Sequence, residues 1–288
     1  MLIQLLQQIF NGLLTGSIYA IVALGITMTF GLLNILNFAH GEMLMLGGYL
    51  AMVMVNNLGL SFFLAVPLAM VLVAGLGLLV ERFTFRHVRG LPVNGLIISI
   101  GLIAVFQNVA AAIWGADYLL IKPTFTDNVE VWGIPFALQR LFATVVVLAL
   151  VVSCYVLLQR SKTGKAIRAV AQESEAAALM GIPIDRVVAI SFALGAALAA
   201  AAGAFVGSIF FLTPHVGTNF VMKGFVVIIL GGLGSIPGAI LGSVILGLAE
   251  SLGAGFLSSE FQAAYGFAIM ILVLMFRPWG LFGRPERA

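Results

Sequence analysis

The sequence predicts an all-α, polytopic membrane protein of about eight transmembrane helices, with a broken or re-entrant helix pair near residues 220–250. Three observations carry that prediction. Of the 288 residues, 62% are hydrophobic and 9% charged, whereas soluble domains run near 45–50% apolar and about 25% charged. Mean hydropathy is +1.16, and apolar runs long enough to be helices recur along the whole chain. Finally, the basic residues are clustered: Arg82, Arg86 and Arg89; then Arg160, Lys162, Lys165, Arg168 and Arg186; then Arg277, Arg284 and Arg287. Lys and Arg collect in this way in cytoplasmic loops, so the net charge of +3 marks a membrane face and gives no reason to expect a nucleic-acid partner. Disordered, collagenous and disulfide-rich classes are excluded by the same composition. The single cysteine, Cys154, cannot form an intramolecular disulfide, and inside an apolar run it reads as a packing residue.

The elements follow in order. The N-terminal MLIQLLQQIFNGLL has no basic n-region and no small-residue cleavage site, so the first apolar run, about Ile9–Leu33, is expected to be a retained span. Met43–Leu58 and Ser61–Val80 follow as a hairpin, then the ERFTFRHVRG patch, then Val93–Trp114. A polar segment, Gly115–Pro135, carries Asp117, Asp127 and Glu130 against Lys122. Phe136–Leu158 is the fifth run, and Gln159–Arg186 is a long, net-basic polar loop. Val187–Leu212 is Ala-rich, Phe220–Glu250 is interrupted, and Phe261–Phe276 precedes the basic tail.

Placing each basic patch inside puts 115–135 and 213–219 outside, and by counting back it puts the N-terminus outside. Phe220–Glu250 then leaves from and returns to the outer side. Its centre, GGLGSIPGA from Gly231 to Ala239, is not a sequence that continues a helix. Two short helices meeting at a glycine-proline break are expected, either re-entrant or as a pair of short spans. Broken backbone at membrane depth survives only where protein or a water-filled cavity satisfies it. The whole chain, 1–288, reads as one transmembrane domain with a cytoplasmic loop, 159–186, inside it.

The most unusual stretch is Asn34-Ile-Leu-Asn37-Phe38-Ala-His40-Gly-Glu42. It sets two amides, an imidazole and the only charged side chain of residues 1–80 between two apolar runs. Polar groups at that depth cost free energy unless they find partners or water, which makes them candidates for a translocation pathway. The alternative is a polar turn that caps two helices. A metal is not expected, because His87 and His215 lie in other loops and too few ligands cluster. Gly231, Gly232, Gly234 and Pro237 of the break either give that pathway its backbone dipoles or simply turn the chain.

In the 159–186 loop, Lys162, Lys165 and Arg168 recur every three residues, with Ile167, Val170, Ala178 and Leu179 near another face: an amphipathic helix. Gly181 and Pro183 terminate it. An interfacial helix lying on anionic headgroups accounts for that pattern. A second reading comes from Glu175-Ala176-Ala177 followed by Gly181, an EAA-x3-G string that resembles the coupling helix of ATP-binding-cassette importers. Four ordered segments extend the likeness over essentially the full chain: LNFAHGEMLMLGGY (Leu36–Tyr49), the EAA loop, VVIILGGLGSIPGAILG (Val226–Gly242) and FRPWGLFG (Phe276–Gly283). Together they resemble permeases of the high-affinity branched-chain amino acid importers, the LivH type. Urea and short-amide importers use permeases built on the same motifs.

That resemblance implies a transport subunit of the inner membrane that binds no cofactor itself. Its expected partners are a second homologous permease, two ATPase subunits that hold ATP and Mg, and an external, periplasmic solute-binding protein. It also implies that Lys165, Arg168, Glu175, Ala176, Ala177 and Gly181 meet an ATPase. The sequence agrees in lacking G-x4-G-K-[ST], the phosphate loop an ATPase would need. For a branched-chain amino acid, apolar walls such as Phe38, Met43 and Met45 are expected to favour the side chain. Gly195, Ala199, Gly203 and Gly207 are spaced for close helix packing. Lys223, Arg140 and Glu250 flank apolar runs and are expected to snorkel to the headgroups. The rival from another class is a secondary transporter that works without ATPases, since broken helices and intramembrane acids occur there too.

Overall fold

The computed structural model describes residues 2–131 and 134–283. Eleven α-helices are found among them: α1 Leu2–Leu33, α2 His40–Met52, α3 Phe62–Phe83, α4 Pro92–Trp114, α5 Leu138–Arg160 and α6 Lys162–Gln172. There follow α7 Ser174–Leu179, α8 Ile184–Ile209, α9 Val216–Gly231, α10 Ile236–Phe256 and α11 Gln262–Phe276. A π-helical segment, Val53–Asn57, extends α2, and a 3-10 turn, Phe85–Val88, leads into α4. Six of these helices, α1, α3, α4, α5, α8 and α10, are long and apolar enough to cross a membrane, and α9 and α11 are shorter apolar helices. A polytopic, helical membrane protein is therefore what the chain forms. One departure is a small antiparallel pair in the outer segment, β1 Asn128–Val131 and β2 Ile134–Ala137.

α1 and α8 form the centre, and α3, α4 and α5 ring them. The outer helices turn Leu68, Val71, Leu72, Ile97, Ile100, Val145 and Val152 outward, as helices bordering lipid must. Close approach at the centre depends on small residues. A methyl group on Gly16 of α1 would stand 2.8 Å from the Ser243 carbonyl oxygen of α10. The α8 stripe serves the same end: Gly195 faces Gly25 of α1, Gly203 meets the Leu44 carbonyl of α2, and Gly207 meets Leu212 and Ile121. Ala199 is fully buried. Van der Waals contact of this kind, rather than water exclusion, is what holds helices together in lipid.

These contacts also fix depth. The His40 ring lies against Gly25 and Gly195. Gly195 is about 17 Å along α8 from Ile184 and about 21 Å from Ile209 at 1.5 Å per residue, so α2 begins near mid-depth and runs outward beside α8. Gly41 of α2 packs backbone to backbone on Gly217 of α9, so α9 also begins near mid-depth. It runs the other way, parallel to α1, pairing Phe220 with Tyr19 and Gly224 with Val22 and Ile26. The N-termini of two half-depth helices thus face each other inside the protein.

The glycine-proline break lies elsewhere than at membrane depth. Gly232–Ser235 joins the far end of α9 to α10, about 20 Å along α9 from Gly217, on the face where Gly31 of α1 meets Ala171 of α6. The chain's closing segment covers it: the Leu281 and Phe282 amides donate to the Leu230 and Gly231 carbonyls, each at 2.9 Å. Two short helices were expected over 220–250; α9 is short, but α10 is one of the six helices long enough to cross a membrane. Pro237 sits in the first turn of α10, where its missing N–H costs nothing. Arg284 and Arg287 of the basic tail lie outside the described residues.

Candidate functional site: a buried carboxylate where two half-depth helices meet

Glu42 stands in the first turn of α2 and is fully buried. Its Oε1 accepts from Gln107 Nε2 of α4 at 3.0 Å and from Thr218 Oγ1 of α9 at 3.3 Å. Gln107 Nε2 also donates to Thr218 Oγ1 at 2.8 Å, and Gln107 Oε1 lies 3.0 Å from His215 Nδ1. Three helices thus converge on one carboxylate oxygen. Glu42 Oε2 is buried with no hydrogen-bond partner among the described residues. The facing N-termini of α2 and α9 favour negative charge between them, which offsets part of the cost of burying the acid.

The cluster opens toward one side. His215, Asn219 and Met222 are exposed along one face of α9, with Thr218 half-buried beside them, and Asn108 is exposed on α4. Imidazole and amide groups at half depth do not face hydrocarbon; this face calls for water or another protein.

The expected site residues separate into groups. Glu42 and His40 lie close together at the start of α2, although the His40 ring turns toward Gly25 and its Nε2 has no partner. Asn37 is buried with an unpartnered Oδ1, and Phe38 packs on Phe225 with ring centroids 4.5 Å apart. Asn34 is exposed at the end of α1 with φ 51°, its amide bonded to the Phe30 carbonyl at 2.8 Å. That is the left-handed residue that ends a helix. Met43 and Met45 are buried in the core. Gly231, Gly232, Gly234 and Pro237 are at the far end of α9 and are not brought to Glu42. Gln107, Thr218 and His215 were not singled out from sequence, although a Gln-Asn pair inside the apolar run Val93–Trp114 is itself a signal.

The snorkelling expected of Lys223 and Glu250 is corrected by the structure. Their side chains form an ion pair with each other, Glu250 being buried and Lys223 half-buried. Tyr19 Oη donates to the second Glu250 oxygen at 2.8 Å, and the Lys223 ammonium stands 5.6 Å from the Phe267 ring centroid. Because α9 begins at mid-depth, Lys223 lies too deep to reach the surface toward which sequence order had placed it.

In the basic loop, one helix was expected and two are found. Glu173 is extended between α6 and α7, and residues 171–176 are all exposed, so no buried side chain holds that turn in a continuous helix. Ser161 caps α6 by accepting from the Gly164 amide at 2.9 Å. Arg168 bonds the Gln159 side chain and carbonyl, and Lys165 is exposed. Glu175 and Ala176 are exposed on α7, and Ala177 turns inward. Gly181 closes α7: with φ +80° its amide reaches the Ala178 carbonyl at 2.9 Å, and that of Ile182 reaches Ala177 at 3.1 Å. This paired closure needs a left-handed residue, which explains the glycine of EAA-x3-G. Leu179 and Met180 then project from the tip, 89% and 82% exposed.

A many-helix membrane protein with a polar cluster at half depth and a solvent-facing helical tip on its basic side is a transport permease in class. The comparisons name the family. Residues 8–276 match the model of the branched-chain amino acid transport system permease component, and the chain belongs to that family. It is 35% identical to the high-affinity branched-chain amino acid transport system permease protein LivH of Salmonella typhimurium, covering 98% of this chain and 96% of the relative. It is 34% identical to the corresponding permease BraD of Pseudomonas aeruginosa, with the same coverage. In fold it is similar to a chain of PsaBC from Streptococcus pneumoniae, solved with a Fab, with a TM-score of 0.52, 14% identity, and 92% and 90% of the two chains covered.

Proposed function

We propose that this chain is the membrane-spanning subunit of an inner-membrane ATP-binding-cassette importer that carries branched-chain amino acids into the cytoplasm. With α2, α9 and α11 counted beside the six long helices, it crosses or enters the bilayer nine times. The observation that carries the reading is the polar seam from exposed His215 and Asn219, through Thr218 and Gln107, to buried Glu42. It stands at half depth, where a pathway formed against a second, homologous permease has to offer polar groups. The zwitterion's ammonium is suited to Glu42, and its carboxylate to the facing N-termini of α2 and α9.

Two partner ATPases, which bind ATP and Mg, grip the tip formed by Leu179 and Met180 and act through Lys165, Arg168, Glu175, Ala176, Ala177 and Gly181. A periplasmic binding protein delivers the solute to the outer face, where residues 119–121 pair with 207–212. This chain supplies no ATPase site and holds no cofactor.

The test is purification of the tagged chain from its own membranes in mild detergent, followed by reconstitution in liposomes. Recovery with two ATPases and a second permease, and ATP-dependent uptake of labelled leucine once the binding protein is added, is the expected result. Flux through the chain alone, driven by a gradient without ATP, overturns the reading. Uptake of urea or a short amide in place of leucine overturns the substrate class.

A further inference from the structure

α4 is the most weakly held of the six long helices. Only 11% of its most apolar stretch is buried, against 78% for α1 and 72% for α8. It touches the protein along one narrow seam. Gly95 meets Ile35, Ser99 and Ala110 are buried, Gln107 reaches Glu42, and Trp114 stacks on Tyr49 with centroids 4.6 Å apart. A rod with so little packing is drawn from the low-stability end of a fold, where moving elements are found.

Its base is fixed by charge instead. The Arg89 guanidinium, three residues before Pro92, bridges Glu81 at the end of α3 and Asp185 in the first turn of α8. Arg86 holds the second Asp185 oxygen at 2.7 Å. Glu81 is buried, so Arg89 is its necessary counter-charge. Asp185 follows the Gly181 closure by one short turn, in which Pro183 accepts the first amides of α8, those of Arg186 at 3.0 Å and Val187 at 3.1 Å. An open groove of about 750 Å³ lies between these parts, lined by Arg86, Ala178, Gly181, Pro183 and Asp185 among others, and leaves the tip room to shift against the base of α4.

We propose that Arg89 is a positioning residue for transport: it passes displacement of α7 through Asp185 to the base of α4, and α4 carries it to Gln107 and so to Glu42. The route is contiguous. It runs from α7 to the Gly181 turn, to Asp185, to Arg89, along a rigid helix to Gln107, and to the carboxylate at half depth. This inference rests on the importer reading above. Arg89 makes no contact with the polar seam, and its effect is on the linkage between hydrolysis and transport.

The experiment measures ATP hydrolysis and leucine uptake in the same proteoliposomes, normalised to assembled complex. Arg89→Gln is expected to keep hydrolysis within about twofold of wild type while uptake per ATP falls roughly tenfold, and Arg89→Lys to recover part of it. Asp185→Asn leaves the Arg89–Glu81 pair in place and is expected to lower uptake per ATP roughly threefold; it decides the matter if Arg89→Gln does not assemble. Uptake per ATP unchanged in the assembled variants, or hydrolysis and uptake lost in proportion, overturns the proposal. Wild-type complex without ATP-driven uptake is a different result, which removes the importer reading and this inference with it.

Discussion

Lys223 of α9 and Glu250 of α10 form an ion pair inside the helix bundle, with Tyr19 of α1 holding the second carboxylate oxygen at 2.8 Å. Three helices are joined through one buried acid. Glu250 is buried, and removing its partner leaves the charge stranded, at a cost of about 3–5 kcal/mol. Lys223→Met is therefore expected to lower the thermal midpoint of the detergent-purified protein. Replacing both partners with apolar residues removes the stranded charge, so Lys223→Met/Glu250→Leu should melt nearer the wild type than Lys223→Met alone. Losses that simply add would show that the pair is not coupled.

Glu42→Leu should abolish uptake while the amount of assembled complex stays normal. Gln107 keeps Thr218 Oγ1 as an acceptor at 2.8 Å, and both side chains are half-buried, so the substitution strands no fully buried donor. Quantifying the complex by pull-down alongside the transport assay separates the outcomes. Failure to assemble would assign Glu42 to capping α2 instead.

Gly181 has φ +80° and open space where a side chain would stand. Any other residue there bears about 1–2 kcal/mol of backbone strain without a clash. Gly181→Ala is expected to reduce ATP-driven uptake modestly. Gly181→Trp, which adds a large group beside the exposed tip, should stop uptake while membrane levels of the protein hold. Normal uptake by the Trp variant would remove α7 from the coupling route.

Gly280 combines a positive φ with close contact: a methyl group there would lie 2.6 Å from the Gly232 amide nitrogen and the Ile229 carbonyl oxygen. Gly280→Val should lift the closing segment off the end of α9. Hydrogen exchange checks this directly, since the Leu281 and Phe282 amides are expected to lose protection while those of α8 keep it. Unchanged exchange would mean that the contact survives the added bulk.

Much of this arrangement was legible in the chain itself. The apolar runs, the clustered Arg and Lys, the break at Gly232–Ser235 and the lone carboxylate of Glu42 between two apolar runs follow from composition and local pattern. The partners of Glu42 did not, because Gln107 and Thr218 come from helices far along the chain. The Lys223–Glu250 pair escaped for a related reason. Counting from the 213–219 segment places Lys223 near the outer surface, but that segment dips to half depth before α9 begins, and only the contact of Gly41 with Gly217 reveals it. The split of α6 from α7 was equally hidden, since an exposed stretch of good helix formers such as 171–176 carries no sign of the extended Glu173.

The closing segment has a consequence for how the protein is made. The carbonyls of Leu230 and Gly231 at the end of α9 receive their donors from Leu281 and Phe282, which are synthesised two helices later. Chains emerge from the ribosome N-terminus first, so α9 and α10 enter the membrane before the end of α9 can be tied. Tying the end of α9 is therefore a discrete step that waits for two later helices, and a chain truncated after Phe276 would form α1 to α11 and still leave that step undone.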